Sequence, residues 1–328
     1  MKNLSIPQKV LTVYTYCGII KLTIRKELPK GVMVYNMKFN KVEEMKKEFI
    51  EEFIQSLKEE KMIWQRGWKI ILHRNYFSNI EYKGYNQLLL MYIARKKDYV
   101  ETQWLTFNQA KEKGLQIKKG SKSVPIEYFS YYDKGKKEKI TYAEYQQALK
   151  DDRSEEVKVI NKYYNIFNIQ DIEGYEPKEE ETIKNDISML GNYIKHSGIE
   201  LKFIGSQPCY IPNVHEIRMP PRKQFKNDDE YYSTLLHEIS HSTKKHLERE
   251  IPNDVKSKKE KYAFEELVAE ISSVLLCCEF GIQLQSIQNN KAYIQNWIQK
   301  LDKDKEKYLM KAIKNANGIT KYIMENIG

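Results

Sequence analysis

The segment HEISH at residues 237–241 has two histidines four residues apart, with a glutamate directly after the first. Residues four apart lie on one face of an α-helix, so the imidazoles of His237 and His241 can reach a single metal ion. Glu238 lies about 100° further round the helix, close enough to accept a proton from a metal-bound water. Imidazole ligands with a neighbouring carboxylate base suit zinc-assisted hydrolysis. The five letters also occur by chance, so the flanking sequence has to support this interpretation.

The flanking residues favour a helix from about 228 to 247. Asn227 is a typical cap, acidic residues fill positions 228–230, and basic residues occupy positions 244–246 at the far end. The alternative is a surface helix that carries two histidines by chance. The chain has only six histidines in total, which weakens that alternative.

A second predicted helix, residues 262–280, offers a third ligand, which a catalytic zinc site requires. Glu266 and Glu270 share one side of this helix with small residues, so another backbone is expected to approach there. We expect Glu266 to be the third ligand and Glu270 to support a ligating histidine. Glu265 points about 100° away from Glu266 and stays open as an alternative ligand, as does an exchange of roles among the three glutamates. The competing interpretation is a solvated acidic pair. The small residues are Ala263, Ala269 and Ser273.

The net charge of +10 is concentrated in residues 61–140, which hold 17 Lys and Arg against 7 Asp and Glu. The same window holds three of the four tryptophans. Basic and aromatic residues together favour a partner with phosphates and unpaired bases, which is the chemistry of a single-stranded nucleic acid. AT-rich coding is an alternative cause of the composition, and each aromatic residue alone is more typical of a core. The candidate stacking side chains are Trp64, Trp68, Tyr82, Tyr85 and Trp104, and the candidate polar and phosphate contacts are Asn86, Lys118, Lys119 and Lys122.

An abrupt acidic segment divides the chain into two predicted domains. The mixture of helical and strand-like patterns predicts an α+β protein. A small α+β DNA-binding domain is followed by a mainly helical domain with a short edge β-hairpin. The predicted boundaries are 1–40 for an N-terminal extension without an assigned function, 41–170 for the first domain, 171–181 for the acidic linker, and 182–328 for the second domain.

Periodicity places the main elements of these domains. The first domain is expected to contain strands at 124–132, with alternating exposure, and at 163–169, which bracket a polar helical insertion at 141–159. Another short helix is predicted to begin at Trp104. In the second domain, residues 210–219 predict a hairpin that lines the cleft beside the metal helix and can pair an extended peptide.

No apolar run reaches the ~18 residues that a membrane span needs, so no membrane partner is expected. The chain contains no C-x-x-C pair and no secretory cleavage signal, which favours a cytoplasmic protein with four free thiols. We expect two of these thiols, Cys277 and Cys278, to fill core space. The sequence does not predict an oligomeric state.

Ordered blocks along the chain resemble the ArdC-type antirestriction proteins of mobile genetic elements. The resemblance spans about residues 45–325. Its blocks are Trp64 with Trp68, YKGYN at 82–86, WLTFNQA at 104–110, IRMP at 217–220, LHEISH at 236–241 and YAFEELVAE at 262–270. The chain departs from the family at Ser242-Thr243-Lys244, where the family usually has Trp-Thr-Gly, and at His215, where an acidic residue is usual.

This resemblance implies a single-strand DNA-binding domain joined to a zincin-like metallopeptidase domain, with a role in protecting incoming DNA. The expected chemistry is peptide hydrolysis, in which zinc lowers the pKa of bound water to roughly 7 and Glu238 takes the proton. The peptide substrate is not specified by the sequence, and Mn²⁺ or Co²⁺ suits the same ligands. The alternative is a non-catalytic protein that protects by coating single-stranded DNA and whose metal only stabilises the fold.

Overall fold

A computed structural model describes residues 10–15, 18–23, 30–58, 72–176, 186–283 and 304–327, in which helices and strands are mixed along the chain. The predicted α+β class is therefore confirmed. The helices are α1 Lys30–Lys58, α2 Gly84–Lys96, α3 Phe107–Glu112, α4 Tyr142–Lys150, α5 Met189–Ser197, α6 Asp228–Ser242, α7 Lys258–Phe280 and α8 Lys305–Glu325. The strands are β1 Val10–Thr15, β2 Gly18–Thr23, β3 Arg74–Asn75, β4 Gln103–Thr106, β5 Val124–Asp133, β6 Glu138–Ile140, β7 Val157–Asn168, β8 Glu200–Phe203, β9 Cys209–Ile211 and β10 Glu216–Met219.

Backbone proximity groups the chain into two compact units. The first unit comprises Met1–Lys46 and Pro125–Asn165, and the second comprises Lys47–Val124 and Ile166–Gly328. The domain boundaries expected from the sequence stay a prediction.

The first unit contains the antiparallel β1–β2 hairpin and a sheet in which β5 lies between β7 and β6. β5 pairs antiparallel with β6, with Tyr131 opposite Ile140. The expected alternation of exposure along β5 is wrong, because residues 125–127 are buried whereas Tyr128 and Phe129 are exposed. The predicted 141–159 helix ends at Lys150, and the β-branched residues from Val157 onward begin β7 instead.

The segment that begins at Trp104 was expected to be helical, but its first three residues lie in β4. The helix α3 begins only at Phe107, because Thr106 caps it and forms a capping box with Gln109. Within the second unit, β4 pairs parallel with β3 and antiparallel with the last residues of β7. At the start of the segment expected to be the linker, Ile172 is buried in a cluster with Leu105, Ala110 and Ile169.

The second unit is mainly helical around α7, which packs against α6 and α8. Ser257 and Glu260 form a capping box, so α7 begins at Lys258 rather than near residue 262. The predicted close approach of a second backbone is confirmed, because the Ser273 hydroxyl donates to the carbonyl oxygen of Ser233 on α6 at 2.9 Å. Cys277 and Cys278 are buried, as predicted.

A three-stranded sheet in the order β8-β10-β9 lies beside this helical core. β10 pairs parallel with β8 and antiparallel with β9, which confirms the predicted hairpin. β9 is an edge strand and packs beside α6. The hairpin therefore lies where the sequence placed it.

Some predicted features lie outside the described residues. They include Trp64, Trp68 and residues 177–185, which contain the last part of the expected linker. In the part of the chain that the structure describes, no helix has the length and apolar character needed to cross a membrane.

Candidate metal centre

His237 and His241 lie one turn apart on α6, with their Nε2 atoms 3.2 Å from each other. The helix forms here because the Asn227 side chain accepts a hydrogen bond from the Glu230 backbone N–H and three acidic residues follow in the first turn. Both rings are largely buried, with 11% and 12% of their side-chain surface exposed. Two neutral imidazoles in this arrangement present lone pairs to one point.

Glu266 on α7 brings its carboxylate to the same point. One of its oxygens lies 3.5 Å from the Nε2 of His237, and the other lies 3.5 Å from the Nε2 of His241. Four tetrahedral ligands at about 2.0–2.1 Å from a zinc ion lie about 3.3 Å from one another. The spacing of the two nitrogens and the carboxylate, together with their chemistry, therefore fits a divalent transition-metal ion.

The other ring nitrogen of each histidine faces a second carboxylate. The Nδ1 of His237 lies 3.4 Å from Glu270, and the Nδ1 of His241 lies 3.3 Å from Glu265. Glu265 thus lies behind a ring, on the side away from the Nε2 atoms, whereas Glu266 lies between them. A carboxylate at Nδ1 orients the imidazole and makes Nε2 a better ligand.

Arg249 completes this arrangement, and its role had not been predicted from the sequence. Its guanidinium is almost fully buried and donates from Nε to Glu265 at 3.0 Å. The same group donates to the Thr243 hydroxyl and to the Ser240 carbonyl oxygen on the metal helix. Lys244 lies 3.5 Å from Glu265 as well. Three acidic residues close together on a buried helix require a cation partner, but spacing alone did not identify which one.

The electrostatic environment favours positive charge between the two rings. Burial alone would lower the pKa of His237, but hydrogen bonds to Glu266 and Glu270 raise it well above its usual range. Burial would raise the pKa of Glu266, but hydrogen bonds from His237 and His241 outweigh it and keep this pKa well below its usual range. The carboxylates that stabilise an imidazolium also stabilise a bound cation.

Glu238 follows His237 on α6 and is buried, with 6% of its surface exposed. Burial raises the pKa of the Cys209 thiol on β9, and the negative charge of Glu238 raises it further. A carboxylate next to a metal ligand in this position can serve as a general base.

The side chains expected to bind DNA fall into three groups. Trp104 is fully buried and donates its indole N–H to the Nδ1 of His73 at 2.7 Å, so its prediction as a stacking surface is wrong. The side chains of Tyr82, Tyr85 and Asn86 are half-buried. The three predicted lysines are exposed, and Lys118 donates to the Gln170 carbonyl oxygen. The other two are Lys119 and Lys122.

Comparison with protein families identifies both halves of the chain. Residues 43–167 match the N-terminal domain of anti-restriction factor ArdC, and residues 189–315 match a zincin-like metallopeptidase. A DNA primase TraC from Escherichia coli is 30% identical over 290 residues, which cover 84% of this chain and 19% of the relative. The chain therefore spans about a fifth of the length of that relative.

Two solved structures are similar over most of the chain. The metal-free crystal structure of antirestriction ArdC protein from plasmid R388 has a TM-score of 0.64 and 27% identity, and the alignment covers 86% of this chain and 97% of that one. The Mn(II)-bound structure of the same protein has a TM-score of 0.62 and 25% identity, and the alignment covers 86% and 98%. Both domains, in this order on one chain, place the protein in the family of ArdC-like antirestriction proteins with a zincin-like metallopeptidase domain.

Proposed function

We propose that this protein binds single-stranded DNA and hydrolyses peptide bonds at a zinc ion held by His237, His241 and Glu266. The observation that carries the peptidase half is the convergence of two Nε2 atoms and one carboxylate, 3.2 to 3.5 Å apart, with Glu238 next in sequence to a ligand. Glu265 and Glu270 support the histidines from behind, so Glu266 is the better candidate for the third ligand.

The chemistry follows from the positions of these side chains. A divalent ion at this point supplies Lewis-acid polarisation of the scissile carbonyl and lowers the pKa of a water molecule. Glu238 accepts a proton from the attacking water and passes it to the leaving amine. Glu265 and Glu270 keep the two rings oriented by accepting hydrogen bonds at Nδ1. Arg249 holds Glu265 in place for this purpose.

The substrate we propose is an extended peptide that pairs with β9. This strand is the edge of its sheet on the side that packs beside α6, so its free backbone groups can form a ladder with a peptide. A strand added here would run past Glu238. Its side chains would alternate between the sheet and solvent.

The DNA-binding half rests on the match of residues 43–167 to the ArdC N-terminal domain and on the excess of basic residues between 61 and 140. A basic surface alone attracts any nucleic acid, whereas exposed aromatic rings favour unpaired bases. Both properties are present in this half of the chain.

The decisive experiment compares wild type with Glu238→Gln after the zinc content of each has been measured. We expect Glu238→Gln to retain zinc, to lose at least about 10²-fold in cleavage of labelled casein, and to lose protection of single-stranded DNA against restriction. Glu248→Gln, which changes an exposed carboxylate ten residues away, is the matched control and should behave as wild type. Wild-type cleavage by Glu238→Gln with zinc bound would refute the peptidase mechanism, whereas full protection without cleavage would favour the non-catalytic alternative for protection.

A further inference from the structure

A face of the sheet in the first unit carries two exposed tyrosines, a half-buried tyrosine and exposed lysines that the sequence did not single out. We define this tyrosine–lysine face by Tyr128, Tyr132, Lys139, Lys158 and Tyr164. Side chains two apart on a strand point to the same side, so Tyr128 and Tyr132 share one side of β5. Tyr128 contacts Tyr164 of β7, and the ring of Tyr132 lies under Lys158, which is also on β7. The two strands therefore present one continuous surface.

The geometry of this face leaves its rings accessible. Tyr128 and Tyr164 are 40% and 41% exposed, and their ring centroids lie 6.0 Å apart at an angle of 83°. The Nζ of Lys139 lies 5.6 Å from the centre of the Tyr128 ring, and the Nζ of Lys158 lies 5.0 Å from that of Tyr132. Cations over aromatic rings at these distances are attracted to the ring faces and remain available to an anion.

The opposite side of β5 is partly covered within the same unit, although Phe129 on that side is exposed. Tyr131 stacks on Tyr145 of α4 with ring centroids 4.8 Å apart. Glu127 forms a buried ion pair with Lys46 of α1 at 3.6 Å. These two contacts cover part of that side, whereas Tyr128, Tyr164 and the lysines of the tyrosine–lysine face are exposed to solvent.

The charge of the face has one sign. Alternation along β7 places Lys158, Ile160, Lys162 and Tyr164 on the same side, and along β5 it places Tyr128, Ser130 and Tyr132 there. These positions include no carboxylate. The same side of β6 adds Lys139 through its contact with Tyr128. Three lysines without an acid are complementary to a polyanion, and a face of this kind does not suit an apolar protein partner.

We propose that the tyrosine–lysine face is the surface on which single-stranded DNA binds, with the tyrosine rings stacking on bases and the lysines contacting phosphates. This inference rests on the DNA-binding half of the proposed function and assigns it to residues other than Trp104 and the basic turn at 118–122. Tyr128 and Tyr132 are about 13 Å apart along β5, so the face is long enough to contact several nucleotides of one DNA strand. Duplex DNA hides the faces of its bases and gains only the phosphate contacts.

The test uses the full chain and a fluorescent 20-nucleotide oligothymidylate, alone and as a duplex, at several salt concentrations. The charge variant is Lys139→Gln with Lys158→Gln and Lys162→Gln. Its control is Lys118→Gln with Lys119→Gln and Lys122→Gln, which removes the same charge from the basic turn. A third variant, Tyr128→Leu with Tyr164→Leu, removes two stacking rings and keeps apolar bulk. Circular dichroism melting establishes that each variant is folded.

We expect the charge variant to lose at least about tenfold in affinity and to show a salt dependence weaker by about two units of slope for single strands. The tyrosine variant should lose about fivefold or more for each ring on single strands and change little on the duplex. The 118–122 variant should lose less affinity than the charge variant, because its lysines lie outside the tyrosine–lysine face. Wild-type affinity in both face variants, or equal losses on duplex and single strand in the tyrosine variant, would overturn the assignment of the face. Absence of single-strand binding by the wild type would instead refute the DNA half of the proposed function, and the face with it.

Discussion

The metal centre and the tyrosine–lysine face use charge in opposite ways. At the metal centre, carboxylates, imidazoles and the Arg249 guanidinium are buried and neutralise one another at distances of 3.0 to 3.5 Å. On the face, lysines lie over the rings of Tyr128 and Tyr132, with no carboxylate among the alternating strand positions. A buried network depends on every member, whereas an exposed surface sums many weak contacts. Single substitutions should therefore disable the first and only weaken the second.

The largest effect is expected at Glu266, the proposed ligand between the rings. Glu266→Gln keeps the shape of the side chain but removes the negative charge that holds a cation, so zinc affinity should fall by more than about 10³-fold. Isothermal titration of the metal-free protein with zinc measures this loss. Zinc affinity within a few fold of wild type would show that Glu266 is not a ligand, and Glu265→Gln would then be the next variant to measure.

A smaller but still large effect is expected at Arg249. Arg249→Met removes the donor that holds Glu265 behind His241, so zinc affinity should fall about 10–100-fold. Competition with a chromogenic chelator measures the change. Arg249→Lys retains the charge but not the fork of donors and should lie between Met and wild type. An unchanged affinity in Arg249→Met would mean that Glu265 is oriented without this guanidinium.

Trp104 was expected to bind DNA but is buried, so its substitution should change stability and leave DNA affinity unchanged. Trp104→Phe removes the indole N–H and leaves the buried Nδ1 of His73 without its donor, so the free energy of unfolding should fall by about 1–3 kcal/mol. Its affinity for the oligothymidylate should not change while the protein is folded. Urea unfolding and DNA titration of the same sample test both statements. A loss of DNA affinity without a loss of stability would contradict the burial of this ring.

The smallest effect concerns the pH dependence of stability at a partly buried carboxyl group. Burial, with a contribution from Glu81, raises the pKa of Glu279 to about 7, whereas Lys83 acts in the opposite direction. The folded protein therefore binds this proton more tightly than the unfolded chain, whose glutamates titrate near 4.3. The stability that results is present at low pH and is lost as the pH rises through about 7.

Between pH 5.5 and 8, wild type should consequently lose on the order of 1 kcal/mol more stability than Glu279→Gln. Urea unfolding of both proteins at the two pH values measures this difference. Identical slopes against pH would show that Glu279 titrates normally in the folded protein. Glu248→Gln, at an exposed position, should retain the wild-type slope.

Local patterns predicted the elements that depend on near neighbours. The spacing of His237 and His241 places both rings on one helix face wherever that helix packs, and the small residues beside Glu266 correctly indicated a close helix partner. Trp104 was misassigned because its burial depends on His73, a residue 31 positions away. The expected helix at Trp104 failed for a related reason, since pairing with β7 outweighed its local preference.

The sequence by itself determined the two-domain α+β organisation, the metal helix and three carboxylates within reach of it. Only the tertiary structure decided which carboxylate faces the Nε2 atoms and that Arg249 holds Glu265. It also brought the tyrosines of β5 and β7 onto one surface. Helical spacing is set within a few residues of the chain, whereas these choices depend on contacts between side chains 16 to 36 positions apart. Such contacts exist only after the helices have packed and the strands have paired.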